Sequence, residues 1–393
     1  MALGLYISVP FCRSKCSYCN FASDVSSRAV FERYVDRVCS NIENAPQTAR
    51  QMGGRFSRAV DSVYLGGGTP TVLDISQLQR LFVTISQNFQ VPPGAEITVE
   101  CAPGTLTPPR LETLQRLGVN RVSLGVQSLV DQEAASVGRL HTRAKVLDDI
   151  ARLRAAGIGN INIDLIAGLP HQTVDSWDSS LSELVATGVP HASVYMLEVD
   201  EDSRLGRELI AGGTRYHAHF VPDEDLTADL YGMACERLHA AGVEQYEISN
   251  FARAGFESRH NLKYWTRQPY LGFGVDAHSL LEGGTGHGVR LATPDSLQDY
   301  MAGRPVTVTE VSARAALEET FFLGLRLNPG VDLREVGRAF GREAAEAFCG
   351  VIVENVRAGF LEHEGERIRL TARGRLLSNE VFQGFLSLAT PQV

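Results

Sequence analysis

Three cysteine side chains lie within one short stretch near the start of the sequence. Cys12, Cys16 and Cys19 follow an apolar run over residues 5–11, with three and then two residues between them. Three thiolates from a single loop can bind three irons of an iron–sulfur cube. The fourth iron would have no protein ligand, and an open coordination position is where a metal centre does chemistry. The spacing therefore favours a cluster in which one iron has no protein ligand and can bind another molecule.

Two other uses of these thiols compete with a cluster. A structural zinc ion needs a fourth ligand, but Asn20 and Phe21 come next and no His or Cys follows closely. A disulfide with a spare thiol would suit a secreted protein. The total of seven cysteines is odd, and the other four are scattered, at Cys39, Cys101, Cys235 and Cys349. We therefore expect no disulfide framework, and the reducing cytosol fits best.

The composition is that of an acidic, folded protein. The chain has 393 residues, 44% of them hydrophobic, and a formal net charge of −9. This length is enough for one large domain and a smaller one. The acidic balance gives no electrostatic case for nucleic acid or an anionic membrane as a partner. The first apolar run is too short to span a bilayer and has no basic segment before it. We predict a cytoplasmic protein.

Short β-rich runs alternate with amphipathic segments over the first half of the sequence. Residues 77–89, 109–117 and 144–156 carry apolar residues at helical spacing. This alternation implies parallel βα units with right-handed crossovers. A partial α/β barrel and a doubly wound sheet both satisfy the pattern. The predicted strands are Leu5–Val9, Ser62–Leu65, Glu96–Glu100, Arg121–Gly125, Asn160–Ile166 and Ala192–Leu197.

Polar or glycine-rich residues follow these strands, where an α/β barrel gathers its functional groups. The cysteine loop follows the first strand, Gly66–Pro70 the second, Glu100 ends the third, and Gln127 and Asp164 lie at the ends of the next two. Consecutive glycines allow a ligand to approach the backbone closely, and the lysine of a P-loop is absent. Glu100 would suit a ribose diol, and Arg139 could form a paired contact with a carboxylate.

We predict three units along the chain: the α/β core over residues 1–200, an extension of it over 201–312, and a small C-terminal domain over 313–393. In the extension, residues 271–274 are expected to form a loop. In the C-terminal domain we predict helices over 313–325 and 344–358, strands over 360–363 and 367–370, and a last helix from residue 371.

Helices followed by a hairpin suggest a winged-helix-like module. DNA binding is nevertheless disfavoured, because the last helix carries only Arg373 and Arg375 on an otherwise ordinary amphipathic pattern and the chain is acidic. We expect a packing or substrate-covering module and no nucleic-acid partner.

The stretch from Tyr6 to Cys19 resembles the cluster loop of the radical S-adenosylmethionine (radical SAM) superfamily. The resemblance favours the open six-strand barrel, a partial (β/α)6 barrel. It implies a [4Fe–4S] cluster whose open iron is chelated by S-adenosylmethionine (SAM), and reductive cleavage of SAM as the chemistry. The implied SAM contacts are Tyr6, Gly67, Gly68, Thr69, Glu100, Gln127, Arg139 and Asp164, with Tyr18 near a second SAM in one branch.

Phe11 and Phe21 resemble the branch that contains oxygen-independent coproporphyrinogen III oxidase and the HemW haem chaperones. The oxidase carries a further cysteine where this chain has Phe21, and a long extension before its first strand. The oxidase also has a histidine at the position of Ser8. HemW proteins share that histidine, so Ser8 departs from both groups.

The segment from His260 to Trp265 matches the HNxxYW motif associated with HemW. A neutral imidazole can be an axial ligand of haem iron, so His260 is the candidate haem ligand; a structural histidine turn followed by core aromatic residues is the alternative. The resemblance implies a haem chaperone with haem or a porphyrin, a haem-accepting protein and an electron donor as partners, and a peripheral association with the membrane through its acceptor. Coproporphyrinogen III dehydrogenase and a radical SAM methyltransferase are the enzymatic alternatives.

Overall fold

The structure, a computed structural model, describes residues 1–23, 25–284 and 288–386. All six predicted strands are present, and each pairs in parallel with the next one along the chain. A short strand, β2 (Gly54–Arg55), lies outside this series. The six are β1 (Leu3–Ser8), β3 (Val60–Gly66), β4 (Glu96–Cys101), β5 (Arg121–Gln127), β6 (Asn160–Ala167) and β7 (His191–Met196).

The spatial order of these strands decides between the two predicted sheets. A doubly wound sheet reverses its strand order at a switch point. Here the order is strictly sequential, β1-β3-β4-β5-β6-β7, as in the wall of an α/β barrel. The N-terminal half is therefore a partial α/β barrel.

Side chains alternate along each barrel strand between an apolar outer face and a polar inner face. On β5, Val122, Leu124 and Val126 are completely buried in the main hydrophobic core. The residues between them face the barrel interior, where Ser123 donates a hydrogen bond to Asp164 of the next strand. This period-two pattern places polar side chains inside the barrel and apolar side chains under the helices.

The sheet continues beyond the six strands at both edges. β8 (Glu244–Glu247) and β9 (Asn250–Ala252) form an antiparallel hairpin that pairs with β7. At the other edge the predicted loop over residues 271–274 is wrong, because β10 (Tyr270–Phe273) pairs in parallel with β1. Antiparallel strands follow it, namely β11 (His278–Gly283), β12 (Val289–Ala292) and β13 (Thr307–Glu310).

Ten α-helices are described before residue 313. In chain order they are α1 (Arg28–Gln51), α2 (Ile75–Asn88), α3 (Pro108–Arg116), α4 (Asp131–Ser136), α5 (Arg143–Ala155), α6 (Val174–Thr187), α7 (Arg204–Ala211), α8 (Glu224–Ala240), α9 (Arg259–Trp265) and α10 (Leu297–Ala302). Two short 3-10 helices cover Pro70–Val72 and Ala218–Phe220. Within the described residues, no helix is long and apolar enough to cross a membrane.

The C-terminal region combines helices with a three-stranded antiparallel sheet in the order β14-β16-β15. The single helix predicted over residues 344–358 is wrong, because it divides into two, and the buried ring of Phe348 lies at the break. The strands are β14 (Val331–Asp332), β15 (Leu361–Glu364) and β16 (Arg367–Leu370); the helices are α11 (Ala313–Gly324), α12 (Leu333–Phe340), α13 (Arg342–Glu346), α14 (Cys349–Arg357), α15 (Ala372–Leu376) and α16 (Ser378–Leu386).

Two main hydrophobic cores are present. The larger one includes residues from Leu3 to Tyr300, so the segment after residue 200 shares the barrel's core. The second core gathers residues 317–385 together with Ile248. Its centre is a stack of three rings, in which Phe321 lies 4.6 Å from Phe348 and 5.0 Å from Phe385.

Candidate cluster and cofactor site

The loop that carries the three cysteines is anchored by a buried aromatic ring. Phe11 is completely buried, and its centroid lies 4.2 Å from that of Phe31 and 5.1 Å from that of Tyr34, both on α1. Tyr34 also donates a hydrogen bond of 2.7 Å to the carbonyl of Ser8, the last residue of β1. The start of the loop is therefore fixed against the barrel.

The glycine-rich turn after β3 lies directly against this loop. The amide of Thr69 donates to the carbonyl of Phe11 at 2.8 Å, and the Thr69 hydroxyl lies 3.8 Å from the sulfur of Cys12. A Cβ added at Gly68 would lie 2.6 Å from the Val9 carbonyl oxygen, well inside van der Waals contact. A side chain at this position would therefore separate the turn from the cysteine loop.

A buried cation lies on the other side of the loop. Arg139 Nη1 lies 3.6 Å from the sulfur of Cys16, and Nη2 donates to the carbonyl of Gly125. Burial alone would lower the pKa of Arg139, but the neighbouring Cys16 and Tyr18 outweigh burial and raise it. The amide of Ser17 donates to the carbonyl of Val137 at 3.1 Å. Arg139 is thus held beside the thiols, where it can offset negative charge.

The donor set fits an iron–sulfur cube. Burial raises the pKa of Cys12, which lies close to Cys16 and Cys19, and Cys19 Sγ lies 3.8 Å from the hydroxyl of Ser23. Among the described residues, no three His, Cys, Asp or Glu side chains are placed to hold one metal ion. A cube requires a wider spacing, because each thiolate binds a different iron. Three separated thiols beside a cation and two hydroxyls suit an anionic cluster.

Glu100 lies at the end of β4 beside the glycine turn. Its carboxylate accepts a hydrogen bond of 2.8 Å from the hydroxyl of Tyr64 and one from the amide of Gly67. Burial raises the pKa of Glu100 to about 7, although these two hydrogen bonds lower it. A Cβ at Gly67 would lie 3.1 Å from the hydroxyl of Tyr6, so Tyr6, Gly67 and Glu100 face the same space.

Asp164 is held on the neighbouring wall by a network of short polar side chains. It accepts hydrogen bonds from Asn162 at 2.7 Å and from Ser123 at 3.1 Å. Burial raises the pKa of Asp164, and these bonds, together with one from Ser193, oppose that rise. The network fixes the carboxylate of Asp164 where the barrel interior opens.

Gln127 has a left-handed backbone at the end of β5. Its φ angle is 72°, and the pairing of β5 with β6 shifts by one residue between Gly125 and Gln127. A bulge of this kind re-aims a side chain. A Cβ at Gly125 would lie 3.3 Å from Gln127 Nε2 and 3.0 Å from Arg139 Nη2. The bulge therefore brings the side chains of Gln127 and Arg139 together.

Tyr18 packs beside the cysteine loop with Val137, Ile166 and Leu169. Burial raises the pKa of its hydroxyl, and the adjacent Cys16 adds to the rise. The structure thus gathers all the predicted cluster and SAM residues around the carboxyl ends of β1 and β3–β6. His260 is the exception.

His260 lies at the opposite end of the barrel. Its Nδ1 is 3.0 Å from the hydroxyl of Ser62, which is four residues before Gly66 on β3 and hence about 13 Å lower along the strand. Its Nε2 is 2.8 Å from the hydroxyl of Tyr264, and its backbone amide donates to Glu96. Only 1% of the residue is exposed. Both ring nitrogens are occupied, so this environment does not support the prediction of a haem ligand at His260.

The HNxxYW segment closes the amino end of the barrel instead. Lys263 is buried, donating to the Ala2 carbonyl at 3.0 Å and forming an ion pair with Asp61 at 2.7 Å. Arg326 lies over the ring of Trp265, with its guanidinium carbon 4.4 Å from the ring centroid. Burial lowers the pKa of His260 to about 3, so the imidazole is neutral and structural. These contacts favour the alternative of a structural histidine turn, with Tyr264 and Trp265 half-buried after it.

Sequence reasoning missed the supporting residues of the site. Tyr64 donates to Glu100, and Ser123 and Asn162 donate to Asp164. A signal for Asn162 is present in the sequence, since it lies two residues before Asp164 on the same predicted strand. Residues at this spacing face the same side of a strand.

Two family models match the chain. Residues 6–184 match the radical SAM superfamily, and residues 311–377 match the HemN C-terminal domain. These matches cover the cysteine loop, the barrel as far as α6, and most of the second hydrophobic core.

Full-length relatives narrow the family further. A protein of Bacillus subtilis named heme chaperone HemW is 34% identical over 385 residues, which cover 97% of this chain and 98% of that protein. The chain belongs to the HemW family. A HemW protein of Mycobacterium tuberculosis is 32% identical over 98% of this chain and 94% of its own length. HemW relatives thus match the barrel, its extension and the C-terminal region together.

A solved structure agrees with this fold. Coproporphyrinogen III oxidase (HemN) from Escherichia coli, described as a radical SAM enzyme, superposes with a TM-score of 0.84. The superposition covers 99% of this chain and 91% of that one, at 23% sequence identity. At 23% identity this similarity establishes the fold alone. The activity of the HemW-family chain must be argued from its own residues.

Proposed function

We propose that this chain is a haem chaperone that holds a [4Fe–4S] cluster and SAM, binds haem and delivers it to an acceptor protein. The observation that carries the proposal is the 34% identity to a protein named heme chaperone HemW along 97% of the chain. The proposed partners are a haem acceptor and an electron donor, and the proposed compartment is the cytoplasm, where the seven cysteines would stay reduced.

The cysteine loop would hold the cluster through Cys12, Cys16 and Cys19. Arg139, 3.6 Å from the sulfur of Cys16, would offset the charge of the thiolates. The hydroxyl of Thr69 would hydrogen-bond the sulfur of Cys12. Such hydrogen bonds and buried charges are the means by which a protein adjusts the potential of an iron–sulfur centre.

The strand ends around the loop would hold SAM. The glycine turn over residues 67–69 offers backbone groups that no side chain shields, and Glu100 offers a carboxylate for hydroxyl or amino groups. Asp164 and Gln127 supply further polar contacts, and Tyr6 faces the same space. A bound cluster with an open iron supplies one-electron chemistry to SAM.

Coproporphyrinogen III dehydrogenase is the second candidate function, and Phe21 argues against it. The oxidase of the related branch carries a cysteine at this position. Here the ring ends the cluster loop and is 64% exposed, so it is placed to meet a ligand or partner from outside the barrel. A phenylalanine cannot supply the thiol that the oxidase has there.

Anaerobic turnover separates the two functions. The reconstituted protein is incubated with SAM, a reductant and coproporphyrinogen III, and the porphyrin products are separated by chromatography. The chaperone proposal expects no protoporphyrinogen while iron content and absorbance show an intact cluster. Product formed over many turnovers, and lost in the Cys16→Ala variant, would make the chain an oxidase.

A further inference from the structure

Two histidines outside the cofactor site form a hydrogen-bonded pair. His171 Nε2 and His217 Nδ1 are 3.1 Å apart. His171 follows the turn after β6, and His217 precedes the short helix Ala218–Phe220. Both residues have left-handed backbones, with φ angles of 68° and 61°. Residues other than glycine rarely adopt this conformation, so the surrounding structure must hold it in place.

Hydrogen bonds and a ring contact from the surrounding fold hold the pair in place. The amide of His171 donates to the Phe220 carbonyl at 2.9 Å, and the two rings stack with centroids 4.1 Å apart. Glu208 on α7 accepts hydrogen bonds from the amides of Tyr216 and Ala218, which flank His217. Contacts within the protein therefore fix the positions of both imidazoles without a bound ligand.

The pairing leaves one nitrogen of each ring available. Among the hydrogen bonds of the described residues, none involves His217 Nε2 or His171 Nδ1. Burial, followed by the charge of His217, lowers the pKa of His171, so at neutral pH its Nε2 can accept a hydrogen bond from the Nδ1–H of His217. A histidine that ligates a metal through one nitrogen commonly donates from the other, and this bond orients the ring and raises its basicity.

The number of donors distinguishes a bare metal ion from haem. A zinc site needs three or four protein ligands, and within the described part of the chain no group of three His, Cys, Asp or Glu side chains could hold an ion. Haem iron already has four porphyrin nitrogens and needs only one or two axial ligands. A single positioned imidazole with a hydrogen-bonded partner suits haem iron better than a free ion.

The segments that hold the pair carry exposed apolar side chains, and one of these segments reaches the cluster loop. Phe220 is 54% exposed beside the pair, and Leu209 and Ile210, directly after Glu208 on α7, are 54% and 67% exposed. The same helix contacts the cysteine loop, because the amide of Leu205 donates to the carbonyl of Ser17 at 2.8 Å. The exposed ring of Phe220, which stacks on His171, can pack against the face of a porphyrin.

We infer that His217 is the axial ligand of haem iron through Nε2, and that His171 is the positioning residue that accepts its Nδ1 proton. This inference rests on the proposed haem binding and places it at the cluster end of the barrel. It assigns no haem contact to His260, which is buried at the other end.

Asparagine and glycine variants test the assignment without straining the backbone, since both tolerate a left-handed φ. Hemin is titrated into the anaerobically reconstituted full-length protein and its variants, and the Soret band and the ferric haem EPR spectrum are recorded. His217→Asn should weaken binding and abolish the imidazole-ligated spectrum, and added imidazole should restore that spectrum in His217→Gly. His171→Asn should weaken binding about tenfold and shift the Soret band. His239→Asn, a change at an exposed histidine on α8, is the matched control and should behave as the wild type.

Four other results would contradict the assignment, and each leads to a different conclusion. If His217→Asn binds hemin with the wild-type affinity and spectrum, the assignment is overturned and haem binding stands. Loss of the spectrum in His260→Ala alone would return the ligand to the HNxxYW segment. Binding of Zn²⁺ that depends on His217, with hemin binding unaffected, would make the pair an ion site. A wild-type protein that binds no hemin would overturn the proposed function together with the inference.

Discussion

The three cysteines of the loop differ from the other thiols in what surrounds them. Cys16 lies beside Arg139 and Cys12 beside Thr69, whereas Cys39 is buried on α1 in the main core. We expect Cys12→Ala, Cys16→Ala and Cys19→Ala each to abolish the absorbance of the reconstituted cluster and its bound iron. Cys39→Ala is the matched control and should retain both. If the Cys39 change were the damaging one, the ligand assignment would be wrong.

Glu100 should give the protein a pH-dependent stability. Its pKa rises from 4.5 to about 7 on folding because of burial, so between these values the folded state binds more protons than the unfolded state. The free energy of unfolding should therefore fall as pH rises from 4.5 to 7, by about 3 kcal/mol from this group. Glu100→Gln should remove that loss. Urea unfolding of the cluster-free protein at several pH values measures the difference, and parallel wild-type and variant curves would contradict it.

At the residue scale, sequence reasoning predicted a site from groups whose chemistry and strand position agreed. Glu100, Gln127 and Asp164 were predicted as strand-end groups, and the structure places them around one opening. The prediction of a haem ligand at His260 gains no support from its buried position, because the HNxxYW motif specifies residue types without the end of the barrel on which they lie. The pair of His171 and His217 escaped notice, since 46 residues separate its members and only the fold joins them.

Among the elements, the glycine turn after β3 depends on the smallest side chain. A Cβ at Gly68 would lie 2.6 Å from the Val9 carbonyl. Gly68→Ala should therefore displace the cysteine loop, lower the free energy of unfolding by about 1–3 kcal/mol and reduce cluster loading. Iron content after reconstitution and thermal unfolding measure the two effects.

Gly232→Ala is the control for that change. Gly232 lies within α8, and a Cβ there would meet nothing within 4 Å. Alanine should leave cluster loading intact and stabilise the helix by about 1 kcal/mol. Normal cluster loading in the Gly68 variant would show that the turn does not position the cysteine loop.

The elements that the sequence predicted share a strong local pattern, and the others depend on distant partners. β5 and β6 have alternating apolar residues and were found within two residues of their bounds. β10 has only four residues, including Gly272, and becomes a strand because β1 offers it a parallel edge. The C-terminal helix over residues 344–358 is divided because the ring of Phe348 enters the second core. Tertiary packing determines both the strand β10 and the division of this helix. A short window of the sequence does not contain that information.

Across the whole molecule, a buried ion network joins the C-terminal domain to the barrel extension. Glu319 on α11 pairs with Arg267 at 2.7 Å and with Arg290 at 2.8 Å, and its side chain is only 12% exposed. Glu319→Gln should lower the free energy of unfolding by about 2 kcal/mol, because two partly buried cations lose their carboxylate.

A matched exposed pair provides the comparison for Glu319. Glu112 pairs with Arg116 on the surface of α3, and both side chains are more than half exposed. Glu112→Gln should change the free energy of unfolding by less than about 0.5 kcal/mol. Denaturant unfolding of both variants measures the difference, and equal effects would show that the Glu319 network contributes no more than a surface ion pair.

The most direct measurement of the central claim is a hemin titration of the reconstituted wild-type chain, followed in the Soret band. A haem chaperone should bind one equivalent of hemin with a saturating, shifted Soret band, and the band should decay when an apo-haem protein is added as acceptor. A titration without saturation, with a spectrum that stays that of free hemin while the cluster is intact, would contradict the account.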